Sequence, residues 1–373
     1  IRLNLCAGSP TKHPKSVKLS RFEVFASLFI DFSSVPFYIK NREEADVMKS
    51  KTKFLTDDET IRKLYLNAGY KQVTGIKLLG NGEFNAVYEA VADGRPTALK
   101  ISPPSRAEVM QYENGMMKAE LYWYEQIRKN TSIRVPTVYH RDFSRRLIDA
   151  DWFIMEKLEG EQMDTFAFSK DEKTQSQNIL AEMAGEIHNI TGKKFGYIQN
   201  KLYDNWYLAL RAAVKNLLSD CAKKGRRSRR GETFLGCIDR GKNIFEKAPC
   251  TMVNYDIWAA NVICRRKNQK VEYAWIDPER SFWGDPLFDF CCLDFLTPLE
   301  KKHSVQAHNR VSAVKIRTGK EEKIRYAASL AMMALIMETE KYYRYTPCHF
   351  GYWRNTIISG ILYRTAFKEL KKL

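Results

Sequence analysis

The chain has 373 residues, too many for one simple core and suited to two domains or lobes. Its 44% hydrophobic and 28% charged residues are ordinary for a soluble globular protein, and no stretch is long and apolar enough to span a bilayer. Eight cysteines without a CxxC or a Cys/His cluster exclude a zinc scaffold and fit a reducing cytoplasm, with Cys291 and Cys292 read as packed thiols.

The formal charge of +17 is uneven. Residues 69–160 are nearly neutral, and the excess lies in Lys223-Lys224-Gly-Arg226-Arg227-Ser-Arg229-Arg230 and in the last quarter of the chain. Such a run attracts phosphate, but no aromatics interleave it, so it reads as a solvated loop between helices and makes nucleic acid an unfavoured partner.

Residues 1–47 form a poorly specified extension. Lys12, Lys15, Lys18 and Arg21 precede an apolar patch, yet Glu23 and Asp31 interrupt it and no small-residue cleavage site follows, so Met48 reads as a natural start. TDDETIRKLYLNAG predicts a helix capped by Thr56 and Glu59 and stopped by Gly69. VTGIKLLGNGEFNAVYEAVADGRPTALKI then alternates like two or three strands, with a hairpin turn at Asp93-Gly94. Its first turn, Gly80-Asn81-Gly82-Glu83-Phe84-Asn85, has glycines that allow backbone amides close to a triphosphate. Lys100 ends an apolar strand one hairpin later, where a lysine reaches α/β-phosphates.

Met116, Met117, Leu121, Tyr124 and Ile127 recur at helical spacing within a predicted helix over 106–128. Glu120 falls inside that stripe and needs a cation there; Lys100 is the natural partner, with Glu113 the competing carboxylate. Strands over 135–139 and 152–155 follow, joined by a polar turn that includes His140-Arg141-Asp142. Lys157 and Leu158 lie in the link to a mostly helical remainder, with helices predicted over 175–190, 206–218, 233–245, 326–343 and 353–373. His188 reads as a packing residue.

From Met252 to Asp289 the chain carries NYDIWAAN, then a strand ending in Asp277, then GDPLFDF. Two carboxylates and an amide at strand ends, Asp256, Asp277 and Asn261, suit a Mg-ATP site in which one carboxylate faces a hydroxyl and the other groups hold the cation.

The order of glycine turn, strand lysine, helix glutamate, linker, N-x-D-x4-N and strand-end aspartate resembles the aminoglycoside phosphotransferase-like branch of the protein-kinase-like fold, which includes choline, homoserine and fructosamine kinases. The likeness covers about residues 69–295, in GNGEFNAVYEA, EIHNI, NYDIWAAN and IDPERSFWGDPLFDF. It implies a bilobal α+β fold: an antiparallel-sheet lobe with one main helix over 48–158 and a helical lobe over 159–373. It also implies an ATP-dependent (or GTP-dependent) transfer of phosphate to a small-molecule hydroxyl. By that resemblance Asp256 orients the acceptor, and Asn261 and Asp277 bind Mg²⁺. Lys100, held by Glu120, neutralises phosphates. Backbone from Gly80 to Asn85 covers the phosphates, and adenine lies near Lys157 and Leu158. Asp289 braces the loop.

Two departures stand out. Asn254 occupies the family's histidine position, and Asp277 is followed by Pro278-Glu279 instead of Phe-Gly. The latter, with no activation loop after it, opposes a protein kinase; His140-Arg141-Asp142 lacks the asparagine five residues on and is a chance match to that family's triplet. A protein kinase, a nucleotide-binding pseudokinase and a nucleic-acid binder remain the competing readings. The basic helical part counts against a polycationic aminoglycoside, while Trp206, Tyr207, Tyr342, Tyr343, Tyr345 and Trp353 are candidates for an aromatic cage or for core.

Overall fold

A computed structural model describes residues 52–79 and 84–373. The expected extension over 1–47 and the Gly80–Glu83 part of the glycine turn lie outside the described residues.

Alternation builds the first lobe. Strands β1 (Val73–Leu79), β2 (Ala86–Ala92) and β3 (Arg95–Ile101) form an antiparallel meander, joined to β5 (Trp152–Glu156) and β4 (Val138–Asp142) in the order β1-β2-β3-β5-β4. Asp93 and Gly94 both have positive φ, 49° and 75°, as a two-residue hairpin turn requires. Helix α1 (Asp58–Asn67) packs Ile61, Leu64 and Tyr65 on one sheet face against Ala86, Tyr88 and Leu99. Helix α2 (Met116–Asn130) covers the other face, with Met117 against Ala98, Phe153 and Met155.

Three local expectations shift. The cap of α1 is Asp57, which accepts from Thr60 N at 2.7 Å, one residue beyond the expected Thr56 box. Helix α2 starts at Met116 and not near 106, because Gly115 sits in the left-handed region at φ 79° after a single 3-10 turn over Gln111–Glu113. His140-Arg141-Asp142 is not a turn but the end of edge strand β4.

Beyond β5 the link turns at Gly160 (φ 127°) into β6 (Glu161–Gln162), which pairs with β8 (Val262–Lys267) of a hairpin completed by β9 (Lys270–Trp275). β7 (Thr251–Val253) pairs with β10 (Phe282–Gly284). The rest is helical. The run predicted over 175–190 is two helices, α3 (Lys170–Ser176) and α4 (Ile179–Ile187), and that over 233–245 is α6 (Arg229–Arg240) and α7 (Lys242–Phe245). α5 (Trp206–Lys223), α8 (His303–Val311), α9 (Lys320–Arg344) and α10 (Phe350–Leu370) complete the lobe. α9 is buried on nearly every side over Ala327–Ile336, as a central helix of a large core must be. No helix among the described residues is long and apolar enough to cross a membrane.

The basic run 223–230 lacks aromatics in sequence, but the helices around it supply them. Lys224 lies 4.5 Å from the Tyr343 ring, Arg226 5.6 Å from Tyr342, and Arg230 5.8 Å from Tyr363, while Arg227 pairs with Glu232 at 2.7 Å. Residues 224–228 form the expected loop between α5 and α6, and several charges of the run rest on tyrosines of α9 and α10.

A Cβ on Gly160 would stand 2.2 Å from Cys264 O in a backbone conformation unsuited to L side chains. Gly160→Ala is expected to lower unfolding free energy in urea by about 3 kcal/mol or more. Gly225→Ala, also at positive φ but with nothing within 4 Å, is expected to cost only about 1 kcal/mol.

Candidate active site

The site begins with a buried lysine. Lys100 stands in β3, opposite Val87 of β2 and Phe153 of β5, so its Cα is held on both sides by the sheet. Its ammonium lies 2.7 Å from Glu120 Oε2, 2.7 Å from Asp277 Oδ1 and 3.0 Å from Glu279 Oε2. Lys100 is 3% exposed and Glu120 fully buried. Burial alone would lower the lysine's pKa, but the three carboxylates raise it well above its usual value. Burial, reinforced by Asp277, pushes Glu120 and Glu279 upward, with Lys100 opposing. Glu113, the competitor for Lys100, instead pairs with Arg344 at 2.6 Å and accepts from Met110 N.

Tyr124, one turn after Glu120 on α2, accepts the backbone N–H of Asp277 at 2.9 Å. One helix face therefore sets both the lysine and the aspartate. Asp277 itself has φ 64°, a conformation an aspartate tolerates only when its surroundings hold it. Ile276 N donates to Asn261 O at 2.9 Å, tying the end of this segment to the preceding loop.

That loop runs from β7 into the 3-10 turn Ala259–Asn261, and Asp289 organises it. The fully buried Asp289 carboxylate accepts Asn254 N at 3.1 Å and Tyr255 N at 2.5 Å, stabilising the positive φ of Tyr255, 60°. Asn254 Oδ1 then accepts Asp256 N at 3.0 Å, so the residue at the departure from the family pattern caps the turn. Asp256 is half-buried and faces Arg280 at 3.8 Å. Burial raises its pKa, Arg280 opposes the rise and Asp277 adds to it. Arg280 is held in turn by Glu340 at 3.1 Å.

Asp289 also meets His188, at 2.9 Å, and His188 Nδ1 lies 2.8 Å from His308 Nε2. Asn309 donates through Nδ2 to Ile316 O and accepts Ile316 N on Oδ1, so its orientation is set, and His308 Nδ1 donates to that oxygen at 3.0 Å. His308 Nε2 is then an acceptor, and His188 donates from both ring nitrogens. His188 packs, as expected, but within a proton-sharing chain that ends on the loop.

Of the other predicted residues, Phe84 is buried with Arg344 5.1 Å from its ring, and Asn85 donates to Glu279 at 2.5 Å. Lys157 pairs with Glu89 at 2.7 Å, and Leu158 follows half-buried where the chain leaves β5. Gly80, Asn81, Gly82 and Glu83 lie outside the described residues. Of the six aromatics, Trp206, Tyr343 and Tyr345 are buried, Tyr207 bonds Asp239, Tyr342 carries Arg226 and Lys341 on its ring, and Trp353 is exposed and donates to Pro347 O. Tyr124, Glu279, Arg280 and His308 were not among the predicted site residues. Glu279 alone had a local signal, its position two residues after Asp277.

The residues suit a divalent cation. Glu120, Asp277 and Glu279 bring carboxylate oxygens within 4.8 Å of one another against a single ammonium. Buried Glu120 Oε1 and Asn85 Oδ1 have no protein partner. Asn261 Nδ2 donates to Asp256 O at 3.0 Å, which turns its amide oxygen, the atom able to meet a cation, away from that carbonyl. All are hard oxygen donors.

Residues 75–298 match the Phosphotransferase enzyme family. No curated protein matches the chain by sequence. Solved structures share its fold: a Ralstonia eutropha protein described as a candidate aminoglycoside phosphotransferase, 12% identical over 85% of this chain and 98% of its own, superposes with a TM-score of 0.60. A candidate fructosamine-3-kinase from Haemophilus somnus is 16% identical over 82% of this chain and 97% of its own, with a TM-score of 0.57. An ADP-bound aminoglycoside phosphotransferase is 19% identical over 84% and 99%, with a TM-score of 0.52. The fold is the protein-kinase-like α+β fold that the sequence motifs resemble.

Burial, then the neighbouring His188, lowers the His308 pKa to about 3. The unfolded imidazole titrates near 6.5, so the stability from keeping His308 neutral is complete above about pH 6.5 and is lost as pH falls from there toward 3. Urea titrations from pH 7 to 5 are expected to show an acid-side slope from this group approaching about 1.4 kcal/mol per pH unit. His308→Gln should flatten the slope by about one proton; equal slopes would contradict the assignment.

Proposed function

We propose that this chain, which belongs to the Phosphotransferase enzyme family, transfers the γ-phosphate of ATP to a hydroxyl group of a small molecule. The observation that carries the reading is the convergence of Lys100, Glu120 and Asp277 from three separate elements, next to a loop that presents Asp256. ADP in a structurally similar phosphotransferase supports an adenine nucleotide as donor, with GTP as the alternative. The reading divides the chain near residue 158, with the nucleotide on the sheet side and the acceptor on the helical side.

In this reading Lys100 binds the α/β-phosphates and Glu120 holds its ammonium in place. Backbone amides of Gly80–Asn85 cover the phosphates, and the backbone at Lys157 and Leu158 lies against the adenine. Asn261 and Asp277 would hold Mg²⁺, with Glu279 beside them, and the ion when bound would supply neutralisation of phosphate charge. Asp256 orients the acceptor hydroxyl and takes its proton. Burial raises the pKa of Asp256 and the Arg280 guanidinium opposes that rise, which favours the charged carboxylate. Most of the rate enhancement comes from positioning and electrostatics. Retention of Lys100, Asp256, Asn261 and Asp277 together opposes a pseudokinase, and charges of the 223–230 run already engaged by tyrosines and Glu232 weaken the nucleic-acid alternative.

Asp256→Ala is expected to lower kcat by about 10²–10⁴ in an ADP-release assay with a hydroxyl acceptor, while nucleotide affinity by calorimetry stays within about threefold. Full turnover in this variant would remove Asp256 from the chemistry. A wild-type protein that hydrolyses or transfers no phosphate over aminoglycosides, macrolides, choline, homoserine and sugars would overturn the reading.

A further inference from the structure

The last turn of α9 reaches both the nucleotide turn and the neighbour of Asp256. Glu340 and Arg344 lie one helical turn apart there and pair at 2.7 Å. Both are buried, 7% and 5% exposed. Glu340 Oε1 also accepts from Arg280 Nη2 at 3.1 Å, while its Oε2 takes Asn355 Nδ2 of α10 at 3.3 Å. One carboxylate is thus shared by two guanidiniums and anchored from a second helix. Burial would raise its pKa, but Arg344 and then Arg280 hold it below its usual value. Arg344 also faces the other way. It donates to Glu113, in the 3-10 turn before α2, at 2.6 Å and lies 5.1 Å from the Phe84 ring.

Arg280 and Asp256 are opposite charges that stop short of contact. Arg280 Nε lies 3.8 Å from Asp256 Oδ2, too long for a hydrogen bond, and the two side chains are 18% and 28% exposed. Unrestrained, such a pair closes to a charge-assisted hydrogen bond of about 2.8 Å. What stands against closure is Glu340. Among the described residues, the Arg280 side chain donates to Glu340 alone. The Trp258 side chain bonds the Asp256 carboxylate from within its own loop, so the aspartate is held as well. A hydroxyl that approaches Asp256 needs a carboxylate oxygen not already taken by an ion pair. The gap leaves one.

We propose that Glu340 and Arg344 are positioning residues for phosphate transfer: Glu340 restrains Arg280 from closing on Asp256, and Arg344 ties that restraint to Phe84 of the nucleotide turn. Both act through other residues. A nucleotide that settles Phe84 against Arg344 thereby favours the arrangement in which Asp256 stays open to its acceptor. The part played by Glu340 rests on the phosphotransfer reading of Asp256, while the contact of Arg344 with Phe84 is read by nucleotide binding.

The test uses the full chain, with turnover read as ADP release from Mg-ATP, first with water as the acceptor. Glu340→Gln is expected to lower kcat by about ten- to hundredfold and to change KM for ATP by less than about threefold. In an Arg280→Met background the same substitution should cost less than about threefold, because no guanidinium is left to restrain. A merely structural glutamate would cost the same in both backgrounds. ADP affinity is measured by calorimetry and needs no turnover. Phe84→Leu and Arg344→Met should each weaken it about threefold to tenfold, and the double variant no more than the worse single one. Arg344→Met strands the Glu113 carboxylate, so it is also made together with Glu113→Gln, and urea midpoints check that each variant is folded. A wild type that releases no ADP with water or with any acceptor tested above overturns the phosphotransfer reading, and the role of Glu340 with it. With wild-type turnover intact, additive losses for Glu340→Gln and Arg280→Met, or ADP affinity unaltered by Arg344→Met, would overturn this proposal alone.

Discussion

A single buried ammonium surrounded by three carboxylates ties the sheet to the rest of the molecule. Lys100 comes from a central strand, Glu120 from the helix beneath it, and Asp277 and Glu279 from a segment of the helical lobe about 180 residues later. Such a cluster is expensive to desolvate and is held only if each member is well placed. The sheet register holds Lys100, α2 holds Glu120 and Tyr124, and the left-handed turn at Asp277 is locked by Tyr124. The surplus of negative charge makes the cluster suited to a cation and weak as a purely structural device.

Asp289 is the second organising point. Its carboxylate satisfies two consecutive backbone N–H groups at the start of the Asp256 loop and takes a third hydrogen bond from His188. With that support the loop accommodates Asn254 where relatives in the resemblance have histidine. The asparagine needs only a side-chain oxygen to cap Asp256 N, and it has one. At the position of the departure, Asn254 therefore caps the turn that presents Asp256.

Strands and helices were legible wherever periodicity is local: the hairpin at Asp93-Gly94, the strand delivering Asp277, the stripe on α2. Boundaries were less legible because single residues decide them, as Gly115 does at the start of α2. Choosing Glu120 over Glu113 as the partner of Lys100 was possible because a charge inside an apolar helical stripe must be neutralised nearby.

By itself the sequence determined the class of fold, the order of the site's parts and the identity of Lys100, Glu120, Asp256, Asn261 and Asp277 as candidates. The candidate residues follow from short-range patterns and spacing, and the class of fold from the resemblance of those motifs, in that order, to a known family. Only the tertiary structure decided that Glu279 joins the lysine, that Arg280 faces Asp256, that tyrosines of α9 and α10 lie on the basic run, and that α9 brings Glu340 to Arg280 and Arg344 to Phe84. Each is a contact between distant segments. No spacing rule encodes it, because it depends on how complete elements pack against one another.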